Sequence, residues 1–153
     1  MKNVRAIIFD WGRTLYDSGA KNEYPYAVEV VRHCASKYRL AIVSLVSPLA
    51  NATLEERIEQ IERSPLRTFF ELVRVTDDDK DAAFDEVVRD LGIPRDQILI
   101  VDDRTVRGIR YGSRRGHPTV WFQNGKFAEE LPSAETGEPT ATIHSLEELR
   151  ALL

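Results

Sequence analysis

Acidic and hydroxyl side chains come directly after three apolar stretches of the sequence: Asp10, Ser44, and the adjacent pair Asp102 and Asp103. Carboxylates gathered at one place repel one another unless a cation joins them. Oxygen-only ligands favour a hard ion, Mg2+ above all, which also binds phosphate oxygens. A phosphoryl group beside that ion needs a hydroxyl donor and a fixed positive charge, and Ser44 and Lys80 can supply these. An aspartate in such a site can attack phosphorus and form an aspartyl-phosphate, which splits one hard step into two.

The apolar stretches alternate with amphipathic helical patterns, which is typical of a parallel α/β sheet. Strands are predicted at residues 4–9, 40–43, 72–75, 97–101 and 119–122, with a small edge strand at 140–143. Residues 11–23 are predicted to be a loop, and helices are predicted after Pro25 and at 53–63, 81–91, 105–115 and 146–153. In an open parallel sheet, ligands bind in the crevice outside the carboxyl ends of the strands. We therefore expect the polar side chains that follow the strands to meet there.

A chain of 153 residues, of which 42% are apolar and 30% charged, is predicted to form one globular domain spanning 1–153. A net charge of −4 and a pI near 5.4 argue against a general nucleic-acid binder and against binding to an anionic membrane. We expect neither a transmembrane span nor a secretory signal. The single cysteine, Cys34, excludes an internal disulfide and fits a reducing compartment, so we expect a cytoplasmic protein.

Four stretches of the chain carry the polar residues in a recognisable order: IIFDWGRTLYDS at 7–18, a helix and strand at 24–44, Lys80 ahead of AAFDEVVRDLGI, and ILIVDDRTVRGIRYGSRRG at 98–116. This set resembles the four motifs of the haloacid dehalogenase (HAD) superfamily of hydrolases. The first of those motifs is an apolar strand followed by D-x-D-G-T-L, and the second is a Ser or Thr at the end of a strand. The resemblance in order and spacing covers nearly the whole chain.

The resemblance implies a HAD-like, Rossmann-like core: a three-layer α/β/α sandwich with a parallel sheet of five strands, or six with the edge strand. It also implies a phosphohydrolase that acts on a phosphate ester through an aspartyl-phosphate, with Mg2+ as cofactor. The implied roles are Asp10 as nucleophile and metal ligand, the backbone carbonyl of Gly12 as metal ligand, Ser44 and Lys80 as phosphate contacts, and Asp102 and Asp103 as further metal ligands.

Three departures from the motifs bear on turnover. The phosphatases of the superfamily usually carry, two positions after the nucleophile, an aspartate that acts as general acid and base, whereas this chain has Gly12. The next residue, a glycine in the motif, is Arg13, and the fourth-motif positions that often hold Asn or a second acid are Arg107 and Gly108. General acid–base catalysis is worth about 10²–10⁴-fold. We therefore expect slow turnover or a long-lived aspartyl-phosphate. The alternative is a catalytically impaired binding or regulatory protein.

The spacing of the motifs also limits the substrate. Cap domains of the superfamily are inserted between the first and second motifs or between the second and third. Ser44 lies 34 residues after Asp10, and Lys80 lies 36 residues after Ser44, which leaves no room for a cap. The open site that we expect suits a large phosphorylated substrate, such as a phosphoprotein, nucleotide or polysaccharide. It also suits a homo-oligomer in which a neighbouring subunit completes the site.

Two further activities fit the sequence less well. Dehalogenation of small haloacids is disfavoured because such substrates need an enclosing cap. A receiver-like phospho-acceptor is disfavoured because receivers place their paired acids after the first strand, and here the pair follows the fourth.

Several residue assignments stay open at this stage. Ser47 competes with Ser44, Lys80 could be a solvated lysine at the start of a helix, and Arg13 could replace lost charge near the phosphate. The acidic run at 77–79 is interpreted as helix caps rather than metal ligands. The arginine-rich helix at 105–115 fits either a solvated face or a surface that binds an anionic partner.

Overall fold

The computed structural model describes residues 1–153, and strands and helices alternate along the chain. The strands are β1 (Ala6–Phe9), β2 (Tyr16–Asp17), β3 (Asn22–Glu23), β4 (Arg39–Leu45), β5 (Leu72–Thr76), β6 (Ile98–Asp102), β7 (Thr119–Phe122) and β8 (Ala141–Ile143). The α-helices are α1 (Ala27–Ala35), α2 (Leu54–Arg63), α3 (Lys80–Leu91), α4 (Arg110–Arg115) and α5 (Leu149–Leu152). No helix combines the length and the apolar character that crossing a membrane requires.

Six of the strands form one parallel sheet in the order β5-β4-β1-β6-β7-β8. β1 lies inside the sheet, where Ile8 pairs with Ala41 of β4 and with Ile100 of β6. The predicted edge strand is present as β8 and pairs with β7. Because all neighbouring strands are parallel, their carboxyl ends lie along one side of the sheet.

Successive side chains of a β-strand point to opposite faces of the sheet. In β1, Ile7 and Phe9 belong to a core of 21 buried residues that includes side chains of α1, α2 and α5. Ala6 and Ile8 belong to a second core of 11 buried residues, which includes side chains of α3 and Tyr111 of α4. Helices therefore cover both faces, and the predicted three-layer α/β/α sandwich is confirmed, with the edge strand as the sixth parallel strand.

Three strands, β4, β5 and β6, extend further toward their carboxyl ends than the apolar pattern predicts. β4 includes Ser44, whose strand partner is Val75, and β6 includes Asp102, whose partner is Trp121. The pattern places both polar residues just after their strands, and this is wrong by one or two positions. Strand pairing uses backbone groups, which every residue carries whatever its side chain. Both residues remain at the carboxyl ends of their strands.

The segment between β1 and α1, predicted as a loop, contains the short antiparallel hairpin β2–β3. Its turn is closed by Asp17, whose Oδ1 accepts hydrogen bonds from the backbone N–H groups of Gly19 and Ala20. Strands of two residues are too short to show alternation in the sequence. The helix predicted at 105–115 begins with a π-helical turn at Thr105–Ile109 and continues as α4.

The start of α3 is fixed by the cap that the acidic run predicts. Asp79 Oδ1 accepts hydrogen bonds from the backbone N–H groups of Asp81 and Ala82, and the helix ends at Gly92, which has φ of 66°. Such a cap satisfies N–H groups that have no partner inside the helix. Lys80 is consequently held as the first residue of α3.

Candidate active site

Three carboxyl groups converge at the carboxyl ends of β1 and β6. Asp10 follows β1, Asp102 is the last residue of β6, and Asp103 follows it. One carboxylate oxygen from each residue lies within 4.8 Å of the others. The three residues are buried, with exposed fractions of 7%, 0% and 2%. The sheet thus brings together acids that are far apart in the sequence.

Lys80 reaches this cluster from the first turn of α3. Its Nζ donates to Asp10 Oδ1 at 3.0 Å and to Asp102 Oδ2 at 2.8 Å. Burial alone would lower the pKa of the ammonium, but the charges of Asp10 and Asp102 raise it above its usual value. Lys80 is therefore a buried cation and not a solvated lysine. Since an ammonium has three N–H donors, one is left for another acceptor.

Asp102 is fully engaged by the protein. Its Oδ1 accepts a hydrogen bond from Arg104 N at 3.0 Å, and its Oδ2 accepts bonds from Gly108 N at 2.9 Å and from Lys80. A Cβ at position 108 would lie 2.4 Å from Asp102 Oδ2, which is too close for any side chain. The close approach of Asp102 therefore explains why this position of the fourth motif is glycine.

Asp103 differs from Asp102 because one of its oxygens has no partner. Oδ1 lies 3.3 Å from the hydroxyl of Thr14, whose single proton is shared with Asp10 Oδ2 at 3.1 Å. Oδ2 is buried and accepts no hydrogen bond. Burial, followed by the charges of Asp10 and Asp102, raises the pKa of Asp103 to about 10. A cation nearby would favour the ionised form of this buried carboxyl group.

The donor set fits a hard divalent cation. Asp10 and Asp103 offer carboxylate oxygens, and the carbonyl oxygen of Gly12 accepts none of the backbone hydrogen bonds that hold the loop after β1. Oxygen ligands of this kind suit Mg2+. Asp102 lies in the same group, but its oxygens already accept three hydrogen bonds. The structure therefore favours Asp103 over Asp102 as the acid that would hold a metal.

Ser44 is fully buried at the end of β4, next to β1 in the sheet. Its Oγ accepts a hydrogen bond from Arg57 Nη1 at 2.8 Å. The competing Ser47 lies beyond the strand, and its hydroxyl accepts a bond from the backbone N–H of Leu49. The hydroxyl of Ser47 thus stabilises a local turn, and Ser44 supplies the hydroxyl at the carboxyl end of the strand.

Position 12 faces an arginine that the sequence does not single out. A Cβ at Gly12 would lie 3.5 Å from Arg57 Nη1 and 3.6 Å from Nη2, which is ordinary van der Waals contact. The guanidinium of Arg13 instead lies 5.9 Å from the centre of the Phe127 ring. Arg57, rather than Arg13, is the cation beside Gly12.

Two residues of the site were missed by sequence reasoning. Thr14 stands in the T-L part of the first motif, four residues after Asp10, and this spacing is a signal that could have identified it. Arg57 lies on the charged helix α2, where nothing in the spacing of the charges separates it from solvated arginines.

Sequence comparison and structure comparison give different results for this chain. No protein-family profile matches the sequence, and no curated protein matches it. Solved structures match it along nearly its whole length. One is a HAD-hydrolase from Bacillus subtilis bound to magnesium, with a TM-score of 0.81, 15% identity and 99% of both chains covered. Another is an L-2-haloacid dehalogenase with a TM-score of 0.78, 15% identity and 98% of both chains covered.

A third similar structure is a haloacid dehalogenase-like hydrolase from Streptococcus pneumoniae, with a TM-score of 0.77, 13% identity and 99% of both chains covered. The chain therefore has the fold of the HAD-like hydrolases. The resemblance that the sequence motifs indicate is confirmed at the level of fold, and the acidic cluster lies at the ends of β1 and β6.

Proposed function

We propose that this protein is a HAD-like phosphohydrolase that transfers the phosphoryl group of a phosphate ester to Asp10 and then to water, with Mg2+ as cofactor. The observation that carries the proposal is the buried cluster in which Asp10 and the partnerless oxygen of Asp103 meet Lys80. The fold supports a hydrolase, and the oxygen-only donor set supports Mg2+.

The environment of Asp10 suits a nucleophile. Burial by itself would raise its pKa, but the ammonium of Lys80 outweighs this with the help of hydrogen bonds, so the pKa lies below its usual value. Asp10 is therefore an ionised carboxylate at neutral pH. Lys80 holds Oδ1 and Thr14 contacts Oδ2, which fixes the orientation of the group.

In the proposed reaction, an oxygen of Asp10 forms a bond to phosphorus as the bond to the ester oxygen breaks. The leaving oxygen takes its proton from solvent, because position 12 has no side chain that could donate one. Water then attacks the aspartyl-phosphate, which releases phosphate and restores the carboxylate. Asp10, Asp103 and the carbonyl of Gly12 would hold Mg2+, which when bound neutralises acidic groups and withdraws charge from phosphoryl oxygens.

A large phosphorylated substrate is part of the proposal. Between Asp10 and Ser44 the chain forms only the β2–β3 hairpin, α1 and the first part of β4. Between Ser44 and Lys80 it forms α2, a 3-10 turn at Arg67–Phe69 and β5. Neither stretch is long enough to enclose a small substrate, and this supports a protein, nucleotide or polysaccharide carrying the phosphate.

Mg2+ is expected to raise the melting temperature of the protein. A ligand that binds only the native state stabilises it by about 2.7 kcal/mol at a concentration of 100 times Kd. The effect should vanish in the double variant Asp10→Asn, Asp103→Asn and persist in the control Asp77→Asn, Asp78→Asn, which removes two exposed acids. Thermal unfolding with and without Mg2+ measures both. An unchanged Mg2+ response in the first double variant would exclude the proposed site.

Gly12→Asp is expected to speed the breakdown of the aspartyl-phosphate, by up to about 10²-fold. The new carboxylate would lie beside Arg57, and the ion pair would lower its pKa. It would therefore act as a base toward water more readily than as an acid toward the leaving group. Burst kinetics on an activated ester should show a smaller burst and faster steady release.

Gly12→Asn is the matched control, because asparagine has the same size as aspartate but cannot act as an acid or a base. Equal steady rates in wild type, Gly12→Asp and Gly12→Asn, with intact Mg2+ binding, would mean that the missing acid does not limit turnover. The second candidate, a binding or regulatory protein with the same fold, would then be favoured. The observation that supports this candidate is the arginine that stands beside position 12.

A further inference from the structure

Arg57 is directed toward the site by the way α2 is anchored. Ile61, one turn further along the helix, is fully buried in the core. Gln60 accepts a hydrogen bond at 2.7 Å from the indole Nε1 of Trp11, which directly follows Asp10. These contacts hold one face of α2 against the loop after β1. Arg57 lies on that face and reaches Ser44.

The guanidinium of Arg57 has no anionic partner in the protein. It is half-buried, and no carboxylate oxygen lies within the 4.0 Å of an ion pair. Its only hydrogen bond is the one from Nη1 to Ser44, although a guanidinium carries five N–H donors. Burial lowers the pKa of Arg57; the charge of Asp10 opposes this shift, and the nearby Arg107 adds to it. A cation in this position is stabilised when an anion joins it.

Ser44 and Arg57 are arranged to donate to the same group. Because Ser44 Oγ accepts the bond from Arg57, the proton of its hydroxyl is free for another acceptor. Both Nη atoms of Arg57 lie beside Gly12, 3.5 and 3.6 Å from where a Cβ would stand, so no side chain separates the guanidinium from the loop after Asp10. Arginine binds phosphate oxygens through parallel N–H donors, with charge assistance.

We propose that Arg57 is a further residue of the active site that, together with the hydroxyl of Ser44, binds the phosphoryl oxygens of the substrate. This inference rests on the proposed function. It assigns Gly12 a role as well, since any carboxylate at that position would compete with the substrate for Arg57.

The test is the binding of inorganic phosphate in the presence of Mg2+, measured by calorimetric titration and by the shift in melting temperature. Arg57→Gln should weaken phosphate binding by about 10- to 100-fold, as expected for the loss of hydrogen bonds from a charged group. Arg57→Lys should be intermediate, since it keeps the charge without the fork of donors. The control Arg63→Gln lies on the same helix with an exposed side chain and should bind as the wild type does.

A double-mutant cycle of positions 12 and 57 measures their coupling in phosphate binding. This coupling would be absent if Arg57 had only a structural role. Gly12→Asp should weaken phosphate binding when Arg57 is present and have a smaller effect in the Arg57→Gln background, because the ion pair between positions 12 and 57 is then absent. The Mg2+ response of Arg57→Gln should match that of the wild type, because Arg57 is not among the residues that would hold the metal. Additive effects of the two substitutions would contradict the inference.

Failure of this inference can be told from failure of the proposed function. Retained ester hydrolysis with unchanged phosphate affinity and unchanged KM in Arg57→Gln would overturn the role of Arg57 alone. Phosphate binding that depends on Arg57, in a protein that hydrolyses no ester, would support the anion site and remove the phosphohydrolase. If Arg57→Gln does not fold, wild-type affinity in a folded Arg57→Lys together with additivity of Gly12→Asp and Arg57→Lys would overturn the inference.

Discussion

Replacing Asp10 with asparagine is expected to lower phosphate release by on the order of 10³-fold or more, as the loss of a nucleophile does in other enzymes. The asparagine side chain has nearly the same shape and can still accept a hydrogen bond from Lys80, so the fold is retained. It lacks the negative oxygen that attacks phosphorus. Release of phosphate from an activated ester at saturating Mg2+ measures the effect.

The control for this variant is Asp78→Asn, which changes an exposed acid in the segment before α3 and should hydrolyse the ester at the wild-type rate. The covalent label that a phosphate ester leaves on the protein should also disappear in Asp10→Asn and persist in Asp78→Asn. Undiminished phosphate release by a folded Asp10→Asn protein would show that another group is the nucleophile.

Lys80→Met is expected to lower the free energy of unfolding by about 3–5 kcal/mol, since removing one partner of a buried ion pair leaves uncompensated charge. Lys80 is the cation that contacts both Asp10 and Asp102, and all three side chains are almost completely buried. Urea unfolding at neutral pH measures the loss. Lys37→Met, which removes an exposed lysine, should have little effect.

The difference between wild type and Lys80→Met should depend on pH. The lowered pKa of Asp10 in the native state contributes stability above the pKa of the unfolded chain, near 3.9, and this contribution is lost as the pH falls through the native-state value. Protonation of the carboxyl groups also relieves the charge that the variant leaves unpaired. The difference should therefore shrink as the pH is lowered from 7 through about 4 and below. A loss below about 1 kcal/mol at neutral pH would contradict a buried, charged Lys80.

The sheet was predictable because most of its strands contain an apolar run, such as residues 6–9 in β1 and 98–101 in β6. β7 was predicted at its observed bounds, since residues 119–122 stand between Pro118 and the polar residues that follow. All five residues of β6 are buried, as expected for a strand covered on both faces. Once the strands are parallel, the meeting of Asp10 with Asp102 and Asp103 follows from topology, without knowledge of any side-chain contact.

The sequence leaves open whether Asp102 or Asp103 is the main metal ligand of the proposed site. The two residues are adjacent and chemically identical, and what separates them is the set of N–H groups that turn back toward Asp102 from Arg104 and Gly108. Those donors come from the local path of the chain into the π-helical turn. The sequence does not show which of the two carboxylates will accept hydrogen bonds from the backbone of such a turn.

Arg57 escaped prediction for a related reason. α2 carries many charges and buries only one of its residues, Ile61, so its pattern is that of a solvated helix. Whether a charged residue next to the buried stripe faces water or a site depends on what the neighbouring elements present. Here the neighbour is the loop after β1, with Trp11 bound to Gln60 and no side chain at Gly12.

The most direct test of the central claim is to incubate the wild-type protein with a phosphate ester that carries a labelled phosphoryl group, with and without Mg2+, and to locate the label by peptide mass spectrometry. The proposed function predicts Mg2+-dependent release of phosphate and a covalent phosphoryl group on Asp10. Intact Mg2+ binding with neither phosphate release nor label would contradict a phosphohydrolase, and a label on any other residue would contradict Asp10 as its nucleophile.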